Sequence, residues 1–153
     1  MSLISPYYVV KGIEMNNLNV ESTQESVERL LLLVKLDSEH LCERIEDHFI
    51  DYMGTFALKR TRVHFADIFK NRYCDLKIGE LQKFSEELII ALDNYYTEVD
   101  RLCWYLNHTE DMPATAEEQA QKRVKLIRGH YSTLRLYIEA ELENSQEINT
   151  AEL

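Results

Sequence analysis

The chain has 153 residues, of which 27 are acidic and 17 basic, so its formal net charge is −10. This negative field repels nucleic-acid phosphates overall, which argues against nucleic acid as the partner. Four Gly and two Pro are too few for a turn-rich β fold and favour long helices joined by short connections. No apolar run approaches the roughly 18 residues of a membrane span, and no secretory signal is visible, so we predict no membrane segment.

The first 20 residues are predicted to form an N-terminal arm. The apolar run from Tyr7 to Val10 lies among polar residues, which favours a short strand-like arm packed on the bundle or on a partner. Met15 is a second candidate for the native start of the chain. The arm would precede a helical bundle domain over residues 21–147 and an acidic polar tail over 148–153.

A capping-box pair, Ser22 and Glu25, opens the first predicted helix. Apolar residues then recur at steps of three and four, which keeps them on one face. Gly54 stands where a helix would end in a left-handed residue, so we predict helix one over 23–53. The polar pair Asp37-Ser38 interrupts the apolar stripe and predicts a kink or a break there.

The second predicted helix is short and spans 56–73. Its residues Thr61, Val63 and Phe65 alternate with polar ones, so a short strand is the alternative.

Two seven-turn apolar stripes predict the remaining helices. Helix three is expected over 77–107, and helix four begins at Pro113 with the capping box Thr115/Glu118 and ends near 144. The stripes are Leu81, Phe84, Leu88, Leu92, Tyr95, Val99, Leu102 and Leu106, and Ala120, Val124, Ile127, Tyr131, Leu134, Ile138 and Leu142. The sequence therefore predicts an all-α fold, an antiparallel four-helix bundle of long helices with a shorter second helix and an N-terminal arm.

Basic residues are concentrated in two stretches of this acidic chain. If the two stretches lay side by side they would form one positive face for an acidic protein, a phosphate or a second copy. The alternative is a solvated face paired with Glu residues of adjacent helices. The stretches comprise Lys59, Arg60, Arg62, Lys70, Arg72 and Lys77, and Lys122, Arg123, Lys125, Arg128 and Arg135; the predicted binding residues are Lys59, Arg60, Arg62, Lys122, Lys125 and Arg128.

Four His-x-x-acid pairs could each place two ligands on one helix face. Only His48 lies on the predicted apolar seam, and such pairs arise by chance in an acidic chain, so we predict no metal and no cofactor. We expect His48 to be a buried, hydrogen-bonded imidazole. The pairs are His40/Glu43, His48/Asp51, His64/Asp67 and His108/Asp111.

The three cysteines, Cys42, Cys74 and Cys103, form no CxxC pair. Isolated thiols within helical patterns are typical of packed apolar residues, so we predict a reduced, cytoplasmic protein.

Arg123 and His130 are separated by six residues, which resembles the Arg-x(4–6)-His signature of HEPN-type helical-bundle ribonucleases. The resemblance covers eight residues and implies a metal-independent endoribonuclease, with His130 as acid or base and Arg123 holding the phosphate. At Val124 the chain departs from the polar residue usual after the Arg.

The leading hypothesis is a binding protein without catalysis. Phosphate-binding glycine loops, nucleophile elbows and zinc-finger spacings do not occur in the sequence. We expect an adaptor, regulator or immunity-type antagonist that binds a protein partner. Residues 7–10 and the off-seam aromatics also predict a homodimer. The HEPN-like ribonuclease is the alternative.

Overall fold

The computed structural model describes residues 6–151, with side chains described for 23–148 and Thr150. The protein is all-α: helix makes up 85% of it, and the part described has no strand. A 3-10 turn, Tyr73–Asp75, interrupts the connection between the second and third helices. The helices are α1 (Pro6–Lys59), α2 (Phe65–Ile68), α3 (Ile78–Leu81), α4 (Glu86–His108) and α5 (Pro113–Ala151).

The first helix is longer than predicted at both ends. It begins at Pro6, so residues 6–20 belong to α1 and do not form a strand-like arm; residues 1–5 lie outside the described part. It also continues through Gly54, which has no positive φ. Met53 and Phe56 are both buried, and their burial outweighs the roughly 1 kcal/mol that a glycine costs inside a helix.

The left-handed residue that ends α1 is Arg60, with φ 47°. Its N–H donates to the Phe56 carbonyl at 2.7 Å and so closes the last turn. The helix continues without a break through Asp37 and Ser38, and both side chains have partners. Ser38 is buried, and its hydroxyl donates to the Lys35 carbonyl at 3.0 Å.

Ion pairs and hydrogen bonds between the long helices fix their directions. Lys35 pairs with Glu139 of α5 and Glu46 with Arg128, so α1 and α5 are antiparallel. The pair Glu98–Arg123 and the hydrogen bond from Ser85 to Glu141 make α4 and α5 antiparallel as well. It follows that α1 and α4 run in the same direction, and the chain between them must return along their length.

The return path is residues 60–85, named here the crossover segment. The predicted helix over 56–73 is wrong, because α2 is a single turn, and the alternative strand does not form either. Between residues 60 and 83 only Phe65, Ile68 and Phe69 are buried, so there is no long stripe to support a helix. The α2 turn contacts both α1 and α4.

The predicted third helix is interrupted before α4. The hydroxyl of Ser85 accepts the Leu88 N–H at 3.2 Å and caps α4. Glu86 and Glu87 then lie in the first turn, where the helix dipole favours negative charge. The fourth predicted helix begins at Pro113 as expected, but it continues past 144 to Ala151, so the predicted tail over 148–153 is helical as far as it is described.

The two seven-turn stripes meet in the core, as the periodicity predicted. Leu92 and Leu134 are fully buried, and Val124 is half-buried. The core also takes in one face of α1. Other core residues on the three long helices are Leu31, Leu41, Ile45, Leu88, Tyr95, Val99, Leu102, Leu106, Ala120, Ile127 and Ile138.

Candidate functional site

A cleft lies between α1 and the crossover segment. It consists of a polar pocket of about 420 Å³ and an adjoining apolar pocket of about 130 Å³. The two pockets share Leu33, Asp37 and Arg72, so they form one continuous site, named here the interaction groove. Leu36, His40, Arg44, Asp67, Lys70 and Asn71 complete the polar pocket, and Val34, Tyr73, Leu76 and Tyr96 complete the apolar one.

The apolar pocket is built on a pair of stacked rings. Tyr73 of the crossover segment lies parallel to Tyr96 of α4, with centroids 4.0 Å apart and an interplanar angle of 5°. Leu33 forms the facing wall and is 53% exposed. A dry apolar cavity of about 150 Å³ accommodates benzene, so this pocket fits one aliphatic or aromatic side chain.

A network of polar contacts beneath the groove fixes its wall. Asp37 accepts the Arg72 N–H at 2.9 Å and the Tyr96 hydroxyl at 2.8 Å. The neighbouring Tyr95 hydroxyl is buried and donates to the Ser38 carbonyl at 2.9 Å. Burial, followed by the charge and hydrogen bond of Asp37, raises the pKa of Tyr96. Tyr96 therefore remains a neutral donor to Asp37.

Arg44 anchors the crossover segment at the polar end of the groove. Its Nε donates to the Ile68 carbonyl at 3.2 Å, and its Nη2 donates to the Lys70 carbonyl. These carbonyls lie at the end of the short α2 turn and just beyond it, where main-chain acceptors lack helical partners. Because Arg44 is used in this way, the exposed cations of the groove are Lys70 and Arg72.

Arg62, one of the predicted binding residues, is a structural residue. Its Nη1 donates to the Asn107 carbonyl at 2.9 Å and its Nη2 to the Thr109 carbonyl. Its guanidinium also lies 5.9 Å from the centroid of the Phe56 ring. Arg62 therefore ties the start of the crossover segment to the end of α4.

The other predicted binding residues are divided between two sites. Lys59 and Arg60 are exposed at the end of α1. On α5, Lys122 pairs with Glu118 at 2.9 Å and Arg128 with Glu46 at 3.3 Å. Lys125 is exposed. Arg128 thus pairs with a Glu of an adjacent helix, which is the alternative that the sequence left open, whereas Lys122 pairs within α5.

Arg123, the candidate phosphate-binding residue, forms an ion pair with a buried carboxylate. Its Nη1 lies 3.0 Å from Oε1 of Glu98, whose side chain is 6% exposed and also pairs with Arg101 at 3.2 Å. The Arg123 guanidinium lies 5.8 Å from the centroid of the Tyr105 ring. A phosphate would have to compete with Glu98 for this cation, and removing it would leave the buried carboxylate less compensated. His130 lies about two helical turns further along α5 and is half-buried.

The prediction that His48 is buried is wrong. Ile45 and Phe49 occupy the core-facing positions, so the seam passes beside His48 and leaves it exposed. Its ring meets Tyr52 edge-on at 6.0 Å, and His64 lies 5.8 Å from the same ring. The histidines of two of the His-x-x-acid pairs thus flank one tyrosine. Among the residues that the structure describes, no three His, Cys, Asp or Glu side chains are placed to hold a metal ion.

The sequence reasoning missed the groove, although one signal pointed to it. Leu30 to Leu33 are four consecutive leucines in a helix. Since successive residues rotate by about 100°, they cannot all face one core. Leu30 and Leu31 are buried, whereas Leu33 and Leu36 face the groove.

In comparisons with known proteins, no family model, curated protein or solved structure matches the chain. Across the residues that the structure describes, none of the helices combines the length and apolarity needed to cross a membrane.

Proposed function

We propose that this protein is a cytoplasmic binding module that captures a segment of another protein in the interaction groove, without catalysis. The proposal rests on one observation, that an apolar pocket adjoins a rim with exposed cations. The apolar pocket supplies an anchor site for one side chain, and Lys70 and Arg72 lie at the polar end. Such anchors in desolvated pockets dominate the affinity of protein interfaces.

The charge of the groove indicates the chemistry of the partner. The protein as a whole carries −10, yet the exposed ionised groups that the groove offers are mainly cationic. Asp37 is engaged by Arg72 and Tyr96, which leaves Asp67 as the acidic side chain of the rim. A segment with one large apolar residue followed by carboxylates matches this pattern, and the charges would speed and orient its approach.

The groups in the groove are suited to recognition more than to catalysis. Asp37 and Arg44 are both held by hydrogen bonds that attach the crossover segment to α1. A general base must be within reach of the proton that it abstracts, and Asp37 already accepts two hydrogen bonds. His40 is exposed at the rim and adds a polar contact for a partner.

Selection from a phage-displayed library of random 12-residue peptides tests the proposal. Enriched peptides are expected to share an apolar anchor and neighbouring Asp or Glu residues. Binding of a labelled winning peptide, followed by fluorescence anisotropy, should weaken at least tenfold in Leu33→Asp and in Lys70→Glu. Lys59→Glu makes the same charge change outside the groove and should bind as the wild type does.

Two results would overturn the groove as the binding site. One is a library that yields no peptide with a Kd below about 1 mM, a weak limit for a specific interaction. The other is a selected peptide whose affinity is unchanged in both groove variants while the helical spectrum of each variant remains intact.

The alternative remains a HEPN-like endoribonuclease with Arg123 and His130 as its catalytic pair. Both residues lie on one face of α5, since seven positions return to nearly the same direction on a helix. His130→Ala would then abolish cleavage of single-stranded RNA without changing the melting temperature. The ion pair of Arg123 with Glu98 and the overall negative charge make this the second candidate.

A further inference from the structure

The outer face of α5 is turned away from both α1 and α4 and carries apolar residues. Leu136 is 68% exposed and Leu126 is 53% exposed. Contiguous exposed apolar surface is typical of interaction sites. The central residues of this outer face are Leu126, Gly129, Thr133, Leu136, Tyr137 and Ala140, all of them exposed.

Gly129 lies in the middle of the outer face, and none of its described neighbours requires a glycine there. A Cβ built at this position meets no atom within 4 Å, and its φ is not positive. Glycine is the poorest helix former apart from proline. A glycine at an exposed helix position does allow another backbone or a large side chain to approach closely.

Charge is strongly asymmetric along α5. Arg123, Arg128, Glu139 and Glu141 are engaged with α1 and α4. The charges left exposed away from these helices are Lys122 and Lys125 in the first half of α5 and Glu143 and Glu147 in the second. Two α5 helices packed in parallel would place like charges opposite each other. Packed antiparallel, the exposed Lys122 of each copy faces the exposed Glu143 of the other, which is the complementarity expected at a self-association surface.

We propose that the protein forms a homodimer in which the outer faces of two α5 helices pack antiparallel about a two-fold axis between Ser132 and Thr133. In this register Leu136 of one copy lies over Gly129 of the other, because the two positions are equally far from the axis. Lys122 is likewise opposite Glu143. A two-fold axis forms each of these contacts twice.

This surface differs from the one that the sequence suggested for a dimer. Residues 7–10 lie in the part of α1 whose side chains are not described. Of the off-seam aromatics, Trp104 is exposed but stacks on His108 of its own helix, with centroids 4.6 Å apart. The outer face of α5 offers both the apolar residues and the matching charges. The dimer is independent of the interaction groove, which lies between α1 and the crossover segment.

Sedimentation equilibrium on the full chain, across about 1 to 300 µM, tests the dimer. The wild type should pass from monomer, 18.1 kDa, to twice that mass. Gly129→Leu should remain monomeric, with its dimer dissociation constant raised at least thirtyfold, because the new side chain meets Leu136 of the second copy. The matched control is Gly54→Leu, also an exposed helical glycine with no atom within 4 Å of its Cβ, and it should dimerise normally.

A charge exchange fixes the register. Lys122→Glu and Glu143→Lys should each weaken the dimer about tenfold, and the double variant should recover most of the affinity. Within one chain Lys122 pairs with Glu118, a contact that the exchange does not restore, so recovery reports the contact between copies.

A wild type that stays monomeric throughout this range overturns the proposal. So does a dimer whose affinity is the same in Gly129→Leu, since both residues of the register would then lie outside the interface. A dimer disrupted by Gly129→Leu but not rescued by the charge exchange overturns the antiparallel register. Peptide selection on the groove is unaffected by any of these outcomes.

Discussion

The three long helices and the crossover segment are stabilised in different ways. Between α1, α4 and α5 the contacts are made by fully buried apolar side chains such as Leu92 and Leu134. The crossover segment has three buried apolar residues before Phe84, and arginine side chains hold it by donating to main-chain carbonyls. Hydrophobic burial is stronger per residue than such exchangeable hydrogen bonds. We therefore expect the crossover segment to unfold locally before the long helices do. The interaction groove would then have one rigid wall, α1, and one more mobile wall, the crossover segment.

The largest effect is expected in the core of the long helices. Leu134 is 0% exposed, and Leu134→Ala should lower the free energy of unfolding by about 2–5 kcal/mol through the cavity that it leaves. The matched control, Leu58→Ala, removes the same atoms from a side chain that is 86% exposed and should change stability by less than about 0.5 kcal/mol. Urea denaturation followed by circular dichroism measures both. Equal losses would contradict the assignment of the core.

The two regions should also differ in the reactivity of their cysteine thiols. Burial raises the pKa of the Cys42 thiol in α1 from 9.0 to about 11, whereas Cys74 is exposed in the 3-10 turn of the crossover segment. Near pH 8 Cys42 should react with iodoacetamide roughly a hundredfold more slowly than an ordinary thiol, because two pKa units cost that much thiolate. Mass spectrometry of the labelled peptides distinguishes the sites, and equal rates for Cys42 and Cys74 would contradict the prediction.

The raised pKa of Cys42 also makes the free energy of unfolding depend on pH. Since the pKa of Cys42 is higher in the folded state than the ordinary value of 9.0, its contribution to stability is complete below about pH 9 and is lost as the pH rises through about 11. The free energy of unfolding should fall across this interval. Cys42→Ala should show a shallower decline there.

Arg62 tests how the crossover segment is attached. Arg62→Ala removes the donors to the Asn107 and Thr109 carbonyls and should lower the free energy of unfolding by about 1–2 kcal/mol. The loss is limited because the buried Nε of Arg62 has no hydrogen-bond partner in the wild type. Hydrogen exchange should accelerate over residues 60–69 and remain slow in the core of α4. Lys59→Ala, at the exposed end of α1, is the control and should leave both regions protected. Uniform acceleration across the molecule would show that the segment does not open separately.

Tyr96 tests the contact between the two regions at the groove. Tyr96→Phe keeps the ring against Tyr73 but removes the hydroxyl donated to Asp37, which should cost about 1 kcal/mol. Exchange of the Arg72 amide, whose N–H donates to the same carboxylate, should quicken. Tyr52→Phe is the control, because the contacts of Tyr52 with its neighbours are made by its ring. An unchanged exchange rate of the Arg72 amide would show that its hydrogen bond to Asp37 does not depend on the Tyr96 hydroxyl.

The smallest effect has the opposite sign. Arg60 holds φ 47° at the end of α1, a conformation that is unfavourable for a residue with a Cβ and natural for glycine. Arg60→Gly should therefore stabilise the protein by about 0.5–1 kcal/mol in thermal denaturation. Lys59→Gly, one position earlier and still helical, should be destabilising. A loss of stability in Arg60→Gly would show that the Arg60 side chain contributes more than its backbone strain costs.

The helical class, the two seven-turn stripes and the start of α5 at Pro113 could be predicted from the sequence. Each depends on residues a few positions apart, and spacing at three and four residues determines which side chains share a face. The same local reasoning identified the basic stretches and the pair Arg123 and His130. It could not identify their partners, because Glu98 is far from Arg123 along the chain and close to it in space.

Tertiary packing decided the rest. Gly54 is helical because Met53 and Phe56 on either side of it are buried, and His48 is exposed because Phe49 occupies the core. The crossover segment does not form the predicted second helix, since it has to return between the ends of two parallel helices with few apolar residues to bury. Local periodicity determines that a helix forms, but only the arrangement of α1, α4 and the crossover segment determines which side chains meet in the interaction groove.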